Sequence, residues 1–426
     1  MKNVEYLIIG AGMAGITLKK FMASENVVLV DAAPFQYKIG ESIIPEHYHN
    51  LVIRNLVPKI RELPSYSPKW GTTFVKQDVV VSFPLPDFLS ALAMHVERAE
   101  LERLMVDEWD IPIRQETVKE IDFAAKVVVT DKESYKVEKQ IIDCSGPAMV
   151  VGTLLGEVAT IMPAFSTWAY FDVVERHDER FHQAIRDDGK KYYRFNVPEG
   201  ELLAGEETDG WKPSRTTTLT EISQGLWTWQ IPLFDATRLS FGVVSRHAPV
   251  SQEQLLELAE KTHGPQYVLR PRAFDGSSPY NRLHVRNMFA RRAKVASTKD
   301  YILIADSFAF ADPIYSVGTG LAVNKAIQVA KILNEGGWSE QVSEAYNTQY
   351  EALIVAALDG FNFWYTGDVL HNSAAAAHVQ KAFLKGDAFT AGMSEQYCQS
   401  VVSSFGDKDS RMHERWQDLH TWERKK

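Results

Sequence analysis

Short apolar runs and helical spacing alternate along this chain. Val4 to Ile9 is a run of strand length, closed at once by Gly10-Ala11-Gly12-Met13-Ala14-Gly15. Residues 16–23 carry helical spacing, and Val27 to Val30 is a second apolar run ending on Asp31. Strand, glycine loop, helix, strand and acid, in that order, predict the opening of a doubly wound nucleotide-binding domain. Further on, Leu92, Val96, Leu101, Leu104 and Met105 give residues 90–109 a helical pattern. Residues 127–130 and 135–137 read as strands of a small antiparallel sheet, and 141–146 as a strand running into a turn. Residues 165–174 and 226–244 read as strands of a second sheet, with 187–215 between them an irregular polar insertion. Residues 301–306 predict another buried strand, 312–320 a loop, 321–333 a helix, and the chain from 339 onward is helical with a charged tail.

The most distinctive alternation is Trp227-Thr228-Trp229-Gln230-Ile231-Pro232. Period two sets Trp227, Trp229 and Ile231 on one face of an extended segment and Thr228 and Gln230 on the other. Pro232, without an N–H, is expected to end the pairing. Taken alone, the hexapeptide fits a core strand as well as a functional wall.

Each residue of the glycine loop has a physical task. Gly10 makes the tight turn, Gly12 lets backbone approach a pyrophosphate, and Gly15, beside Ala14, lets helix and strand pack closely. The helix start offers N–H groups and a positive dipole to phosphates, and Asp31 stands where a carboxylate meets ribose hydroxyls.

Composition narrows the class. The 426 residues are 45% hydrophobic and 24% charged, the balance of a globular enzyme large enough for two domains. A formal net charge of −9 argues against general nucleic-acid binding. Ten tryptophans are many, and aromatic side chains often wall pockets for planar ligands. Two cysteines, Cys144 and Cys398, make neither a disulfide framework nor a metal cluster, so a cytoplasmic location is expected and no metal. No apolar run reaches membrane-spanning length, and the run before Gly10 is too short for a secretory leader.

Three further stretches give the chain its resemblance. Gly40-Glu41-Ser42, followed by Pro45, looks like a GES-x-x-P loop; Ile304-Ala305-Asp306 and then Phe310 to Gly318 look like a second flavin motif; Lys69-Trp70-Gly71-Thr72-Thr73-Phe74 has the form K-x-G-x-x-F. Together with the WxWxIP form of residues 227–232, these resemble the flavin-dependent halogenases over residues 1 to about 370. The likeness is nearest to the short enzymes acting on phenols and pyrroles.

That resemblance implies an α/β fold: a Rossmann-like FAD-binding domain of the flavoprotein monooxygenase type, an inserted, mainly antiparallel substrate sheet, and a helical C-terminal region. The expected segments are 1–90 and 91–160 for FAD, 161–285 for substrate, 286–335 for FAD and halide, and 336–426 helical. It implies FAD, used as FADH2, with O2 and a chloride or bromide ion that is oxidised to hypohalous acid. Lys69 would hold that acid beside an aromatic substrate, as a haloamine or by hydrogen bonding, with Ser316 as a second catalytic residue. Lys76 is the alternative lysine. Gly40, Glu41, Ser42, Arg98, Asp306 and Gly318 would contact the cofactor along with Gly10, Gly12, Ala14, Gly15 and Asp31. Val317, Gly318 and Thr319 would hold halide at a helix start. Trp227, Trp229, Ile231 and Pro232 would keep substrate apart from flavin.

Two departures from the family pattern matter. A glutamate precedes the loop serine in tryptophan halogenases, whereas Tyr315 stands here, with Asp312 the nearby acid; a phenol is too weak an acid to replace it. This points to an electron-rich arene such as a phenol or pyrrole. Ala305 also replaces the family's usual glycine. No second glycine fingerprint for a nicotinamide cofactor is visible, so a separate NAD(P)H:flavin reductase is the expected partner. Substrates tethered to acidic acyl carrier proteins would need a basic patch, for which Arg286, Arg291, Arg292 and Lys294 are the candidates. Two other readings stand beside this one: an FAD-dependent aromatic monooxygenase or dehydrogenase, and a flavin-binding protein without catalysis.

Overall fold

The structure, a computed structural model, describes residues 1–43, 54–85, 93–196, 201–204, 215–263 and 267–366. Ile44 and Pro45 of the GES loop lie outside them, as do Cys398 and the tail.

Strand Lys2–Ile9 forms because its apolar side chains are buried on both faces, as a central parallel strand requires. It pairs in parallel with Val27–Asp31 on one side and Ser134–Asp143 on the other, and Tyr301–Leu303 joins beyond. Ile9 stands opposite both Val30 and Asp143, and Asp143 opposite Leu303, so the carboxyl ends of these strands finish level. Ligands of doubly wound sheets sit at that edge. Helix Met13–Phe21 starts directly from the glycine loop, and Gly318–Glu335 packs beside it. A Cβ on Gly10, at φ +101°, would lie 2.5 Å from the carbonyl oxygen of Cys144; one on Gly15 would lie 1.9 Å from that of Gly10. Both positions exclude any side chain.

The second body is a ten-stranded, mostly antiparallel sheet. Its centre runs in the order Val79–Pro84, Gly71–Lys76, Thr216–Ser223, Leu226–Leu233, Arg238–Ser245, Phe165–Arg176. Side-chain alternation gives it two faces. Trp227, Trp229 and Ile231 share theirs with Thr217 and Leu219 from one neighbour and with Trp168 and Tyr170 across Arg238–Ser245. A small sheet of Ser42–Ile43, Met94–His95 and Ser67–Pro68 joins the two bodies and brings the GES loop to Lys69.

Several expectations need correction. Pro232 does not end its strand, which continues to Leu233 with Pro232 opposite Leu239. The helix expected at 90–109 begins at Arg98, and a two-residue strand, Met94–His95, precedes it. The insertion at 187–215 contains two strands, Lys191–Asn196 and Glu201–Ala204. The helix after the 312–320 loop begins at Gly318, three residues earlier than expected, and a long helix, Glu340–Thr366, follows. Among the described residues, no helix is long and apolar enough to cross a membrane.

Candidate active site

A cavity of about 460 Å3 runs between the two sheets, from Asp31 and Glu116 past Gly12, Arg98 and Asp306 to Trp168, Trp227, Trp229 and Ile231. It joins a phosphate-binding helix start to an aromatic wall.

At the helix start, Asp31 accepts hydrogen bonds from the backbone N–H of Ala11 (2.6 Å) and of Ala33 (2.8 Å). The carboxylate therefore braces the glycine loop, and its remaining lone pairs face the cavity it lines. Gly12 leaves room: a Cβ there would meet nothing nearer than Glu102 Oε1 at 3.6 Å. Buried Glu102 binds Arg98 (2.8 Å) and Lys38 (2.6 Å), so two cations are assembled beside Gly12. Sequence reasoning found Arg98 and missed Lys38 and Glu102. The i, i+4 spacing of Arg98 and Glu102 was a visible signal for one of them.

Asp306 lies farther along the wall; burial raises its carboxyl to about 6, while Arg98 and Arg286 act in the opposite direction. Arg286 lines the same cavity. Arg98 also donates to Thr319 Oγ1 (3.3 Å), tying the phosphate end to the loop at Ser316–Thr319. Ser316 has φ +55°, and its amide donates to Pro313 O, so the loop turns sharply into the helix at Gly318. Ser316, Gly318 and Thr319 line the cavity.

The expected basic docking cluster is not a surface patch. Arg292 is buried and paired with Glu351 (2.5 Å), Arg291 donates to Pro147 O, Lys294 lies 3.8 Å from Glu157, and Arg286 faces the cavity. Alternation along Arg291–Ala293 sends neighbouring side chains to opposite faces, which a reading of charge alone overlooks.

At the aromatic end, Trp229 and Trp168 both stand opposite Gly242 in register, and their rings meet above it with centroids 6.3 Å apart. Trp168 stacks on His284 (5.0 Å, 10°) and donates to Tyr37 Oη at 2.6 Å. Trp168 and Tyr170 repeat the two-residue spacing of Trp227 and Trp229. Trp227 donates to Tyr365 Oη (2.8 Å), which donates to Asp312 Oδ2 (2.7 Å), itself paired with Arg246. Glu41 turns away from Ser42: it accepts from Tyr170 Oη at 2.5 Å and from the Gly40 amide, and burial raises its carboxyl.

Lys69 is 1% exposed. Its ammonium group donates to Ser42 Oγ at 2.6 Å, and among the described residues no carboxylate pairs with it. Ser42 lines the cavity, so Lys69 stands one hydroxyl behind the wall. Burial lowers its amine to about 7. Lys76 is also buried but committed: it pairs with Glu221 at 3.2 Å, donates to Trp364 O, and stacks on the Trp364 ring. Of the two lysines, Lys69 is the one without a counter-charge.

The Tryptophan halogenase family profile matches residues 202–371, which include the WxWxIP strand and the 312–320 loop. The chain is 22% identical to the 1H-pyrrole-2-carbonyl-[peptidyl-carrier protein] chlorinase of Pseudomonas fluorescens, over 85% of this chain and 82% of that protein. It is 23% identical to tryptophan 2-halogenase of Chondromyces crocatus, over 96% and 81%. In sequence the chain is thus similar to flavin-dependent halogenases. Solved structures agree on the flavoprotein fold. A flavin-dependent brominase superposes with a TM-score of 0.62 at 15% identity, covering 100% of both chains, and a flavoprotein/dehydrogenase from Cytophaga hutchinsonii with 0.64 at 16%, covering 99% and 100%. Two of the solved halogenase structures similar to this chain, at 15–16% identity and TM-scores of 0.58–0.59, hold FAD. The cavity fits it: backbone approach at Gly12, cations at Arg98 and Lys38, an acid at Asp31 for ribose, and a broad apolar end walled by indoles for a planar ring.

Proposed function

We propose that this chain is a flavin-dependent halogenase that chlorinates or brominates an electron-rich aromatic such as a phenol or pyrrole, free or tethered to a carrier protein, with Lys69 handling hypohalous acid. The observation that carries the proposal is Lys69 itself, an amine buried without a carboxylate and set behind Ser42 at the cavity wall. Bound reduced flavin would supply the two electrons that bring O2 to the peroxide level, the oxidant that converts halide to hypohalous acid. The protein's residues do the rest. Gly12, Arg98, Lys38, Asp31 and Asp306 hold the cofactor, and the amides of Val317 to Thr319 offer an anion site. Trp227 and Trp229 close the cavity to an organic ring. A neutral Lys69 amine attacks the halogen of HOX: N–X forms, O–X breaks, and the displaced hydroxide leaves as water with an amine proton. The arene carbon then takes the halogen from nitrogen, and the aryl proton restores the amine.

Tyr315 supports an activated substrate. Burial and Asp312 push its hydroxyl above the ordinary phenol range, so it carries no charge near neutral pH. Asp312 is occupied by Arg246, Tyr365 and the Ile314 amide (3.0 Å). With neither group free to polarise the halogen, an arene that needs little help is the better fit. The pyrrole chlorinase relative acts on a carrier-bound substrate, which motivates the tethered form.

The test combines purified enzyme, a flavin reductase, NAD(P)H, FAD and chloride or bromide with free and carrier-bound phenols and pyrroles. Product masses carrying the halogen isotope pattern are expected. Hydroxylated products without halogen would overturn the proposal in favour of a monooxygenase.

A further inference from the structure

His95 is wholly buried, and the halogenation chemistry just described leaves it without a task. It ends a chain of close contacts that begins at Lys69. Lys69 Nζ meets Ser42 Oγ at 2.6 Å, Ser42 Oγ meets Thr217 Oγ1 at 3.0 Å, and Thr217 Oγ1 meets His95 Nε2 at 2.9 Å. These four residues come from four separate segments, and Ser42 and Thr217 both line the cavity. The other edge of the imidazole, Nδ1, faces the carbonyl of Pro232, too loosely aligned for a standard hydrogen bond. The proline of the WxWxIP motif thus faces the far end of this chain of contacts.

The Pro232 carbonyl gives this chain its direction, because an Nδ1 that faces it is favoured as the protonated nitrogen. His95 Nε2 is then an acceptor, and Thr217 donates to it. Thr217 in turn accepts from Ser42, and Ser42 accepts from the lysine ammonium, which can only donate. The ring must stay neutral for this to hold, and burial together with Lys69 keeps its pKa well below the ordinary histidine value. Other charges nearby are turned elsewhere. Glu41 is held by Tyr170 and Gly40, Glu100 by Ser65, and Glu97 is balanced against Arg238.

We infer that His95 is a positioning residue for Lys69, acting through Thr217 and Ser42 to fix the polarity of the hydroxyl chain so that Ser42 accepts from the amine and leaves its lone pair free. Without the imidazole acceptor the chain can reverse. Ser42 then donates to the amine lone pair and masks the nucleophile. This inference rests on the proposed role of Lys69 in halogenation, but its first readout does not need that activity.

The experiment follows the Lys69 titration by NMR in protein labelled with 13C at the lysine ε-carbon, with Lys69→Met identifying the signal. Wild-type protein is expected to titrate at about 7. Thr217→Val keeps side-chain shape and breaks the chain; His95→Phe removes its end. Both let Ser42 turn its proton toward the neutral amine, which favours the neutral form, so the midpoint falls by about one unit. Thr217→Ser restores the hydroxyl and the wild-type midpoint. The acid limb of the halogenation rate is expected to move with the midpoint. Unchanged midpoints in Thr217→Val and His95→Phe, with both variants folded, overturn the inference. A wild-type protein that halogenates no arene overturns the functional reading, and the midpoints still decide the role of His95.

Discussion

The indole of Trp229 lies across the α-carbon of Gly242, so near that a Cβ on Gly242 would sit 2.1 Å from Cζ2 of the ring. Gly242 is therefore the floor on which Trp229 and Trp168 meet. Gly242→Ala is expected to force Trp229 off its site and to destabilise the protein by about 1–3 kcal/mol, the usual cost of overpacking. Since both indoles line the cofactor cavity, flavin affinity should fall too. Urea unfolding and quenching of flavin fluorescence on titration check the two parts separately. A fully stable variant with normal flavin affinity would show that the wall tolerates the methyl.

Ala305 adopts φ +54°, the left-handed region, with its amide donating to Tyr350 Oη at 2.6 Å. Glycine is free there and alanine is strained by roughly 1–2 kcal/mol, partly offset by its smaller unfolded-state entropy. The departure from the family pattern thus shows as backbone strain at a residue lining the cavity. Ala305→Gly is expected to stabilise the protein by about 1 kcal/mol. Denaturant midpoints of the two proteins measure it directly.

Sequence alone made the nucleotide half of the site legible because its determinants are local: a glycine at positive φ, an acid at a strand end, a helix start. The two-residue spacing likewise gave the shared face of Trp227, Trp229 and Ile231, which the sheet preserves. What stayed hidden is held together by long-range contact. Glu102 gathers Arg98 and Lys38, 64 residues apart from Lys38 in the chain, and His95 reaches Thr217 across 122 residues. No spacing rule reports such pairs. The cluster at Arg286 to Lys294 misled for the same reason: charge was visible, but not the partners that Glu351, Pro147 and Glu157 supply.

Tyr365 links the aromatic wall to the loop at residues 312–319. Its hydroxyl receives the Trp227 indole N–H and donates to Asp312, and its ring lies under Arg246 at 4.8 Å. Tyr365→Phe keeps the ring and leaves Trp227 Nε1 without an acceptor. The expected loss is about 1–2 kcal/mol in stability. If the wall and the loop must stay in register for halide to be used, more hydrogen peroxide should escape per turnover of reduced flavin. Thermal unfolding and a peroxide assay read these outcomes. Unchanged peroxide release with the expected loss of stability would confine Tyr365 to a structural role.

Lys69 makes folding depend on pH with a definite sign. Burial lowers its amine from the ordinary lysine value of 10.5 to about 7 in the folded protein. Between these values the unfolded chain binds more protons than the folded one, so this group's contribution to stability rises with pH. It is fully present above about 10.5 and lost as pH falls through about 7, with a limiting slope of about 1.4 kcal/mol per pH unit. Glu97, raised from 4.5 to about 8, acts in the opposite sense, losing its contribution as pH rises through about 8. Comparing wild type with Lys69→Met cancels Glu97 and isolates the lysine. The methionine variant should be the more stable protein at pH near 7, because it buries no ammonium. That advantage should shrink as pH rises through the window. The same variant is expected to lose halogenation by several orders of magnitude while retaining FAD. Urea unfolding at a series of pH values, flavin binding and product mass spectrometry give three independent readings. A stability difference that does not change with pH would mean that the amine titrates normally, and a neutral amine at the cavity wall would then no longer explain the chemistry.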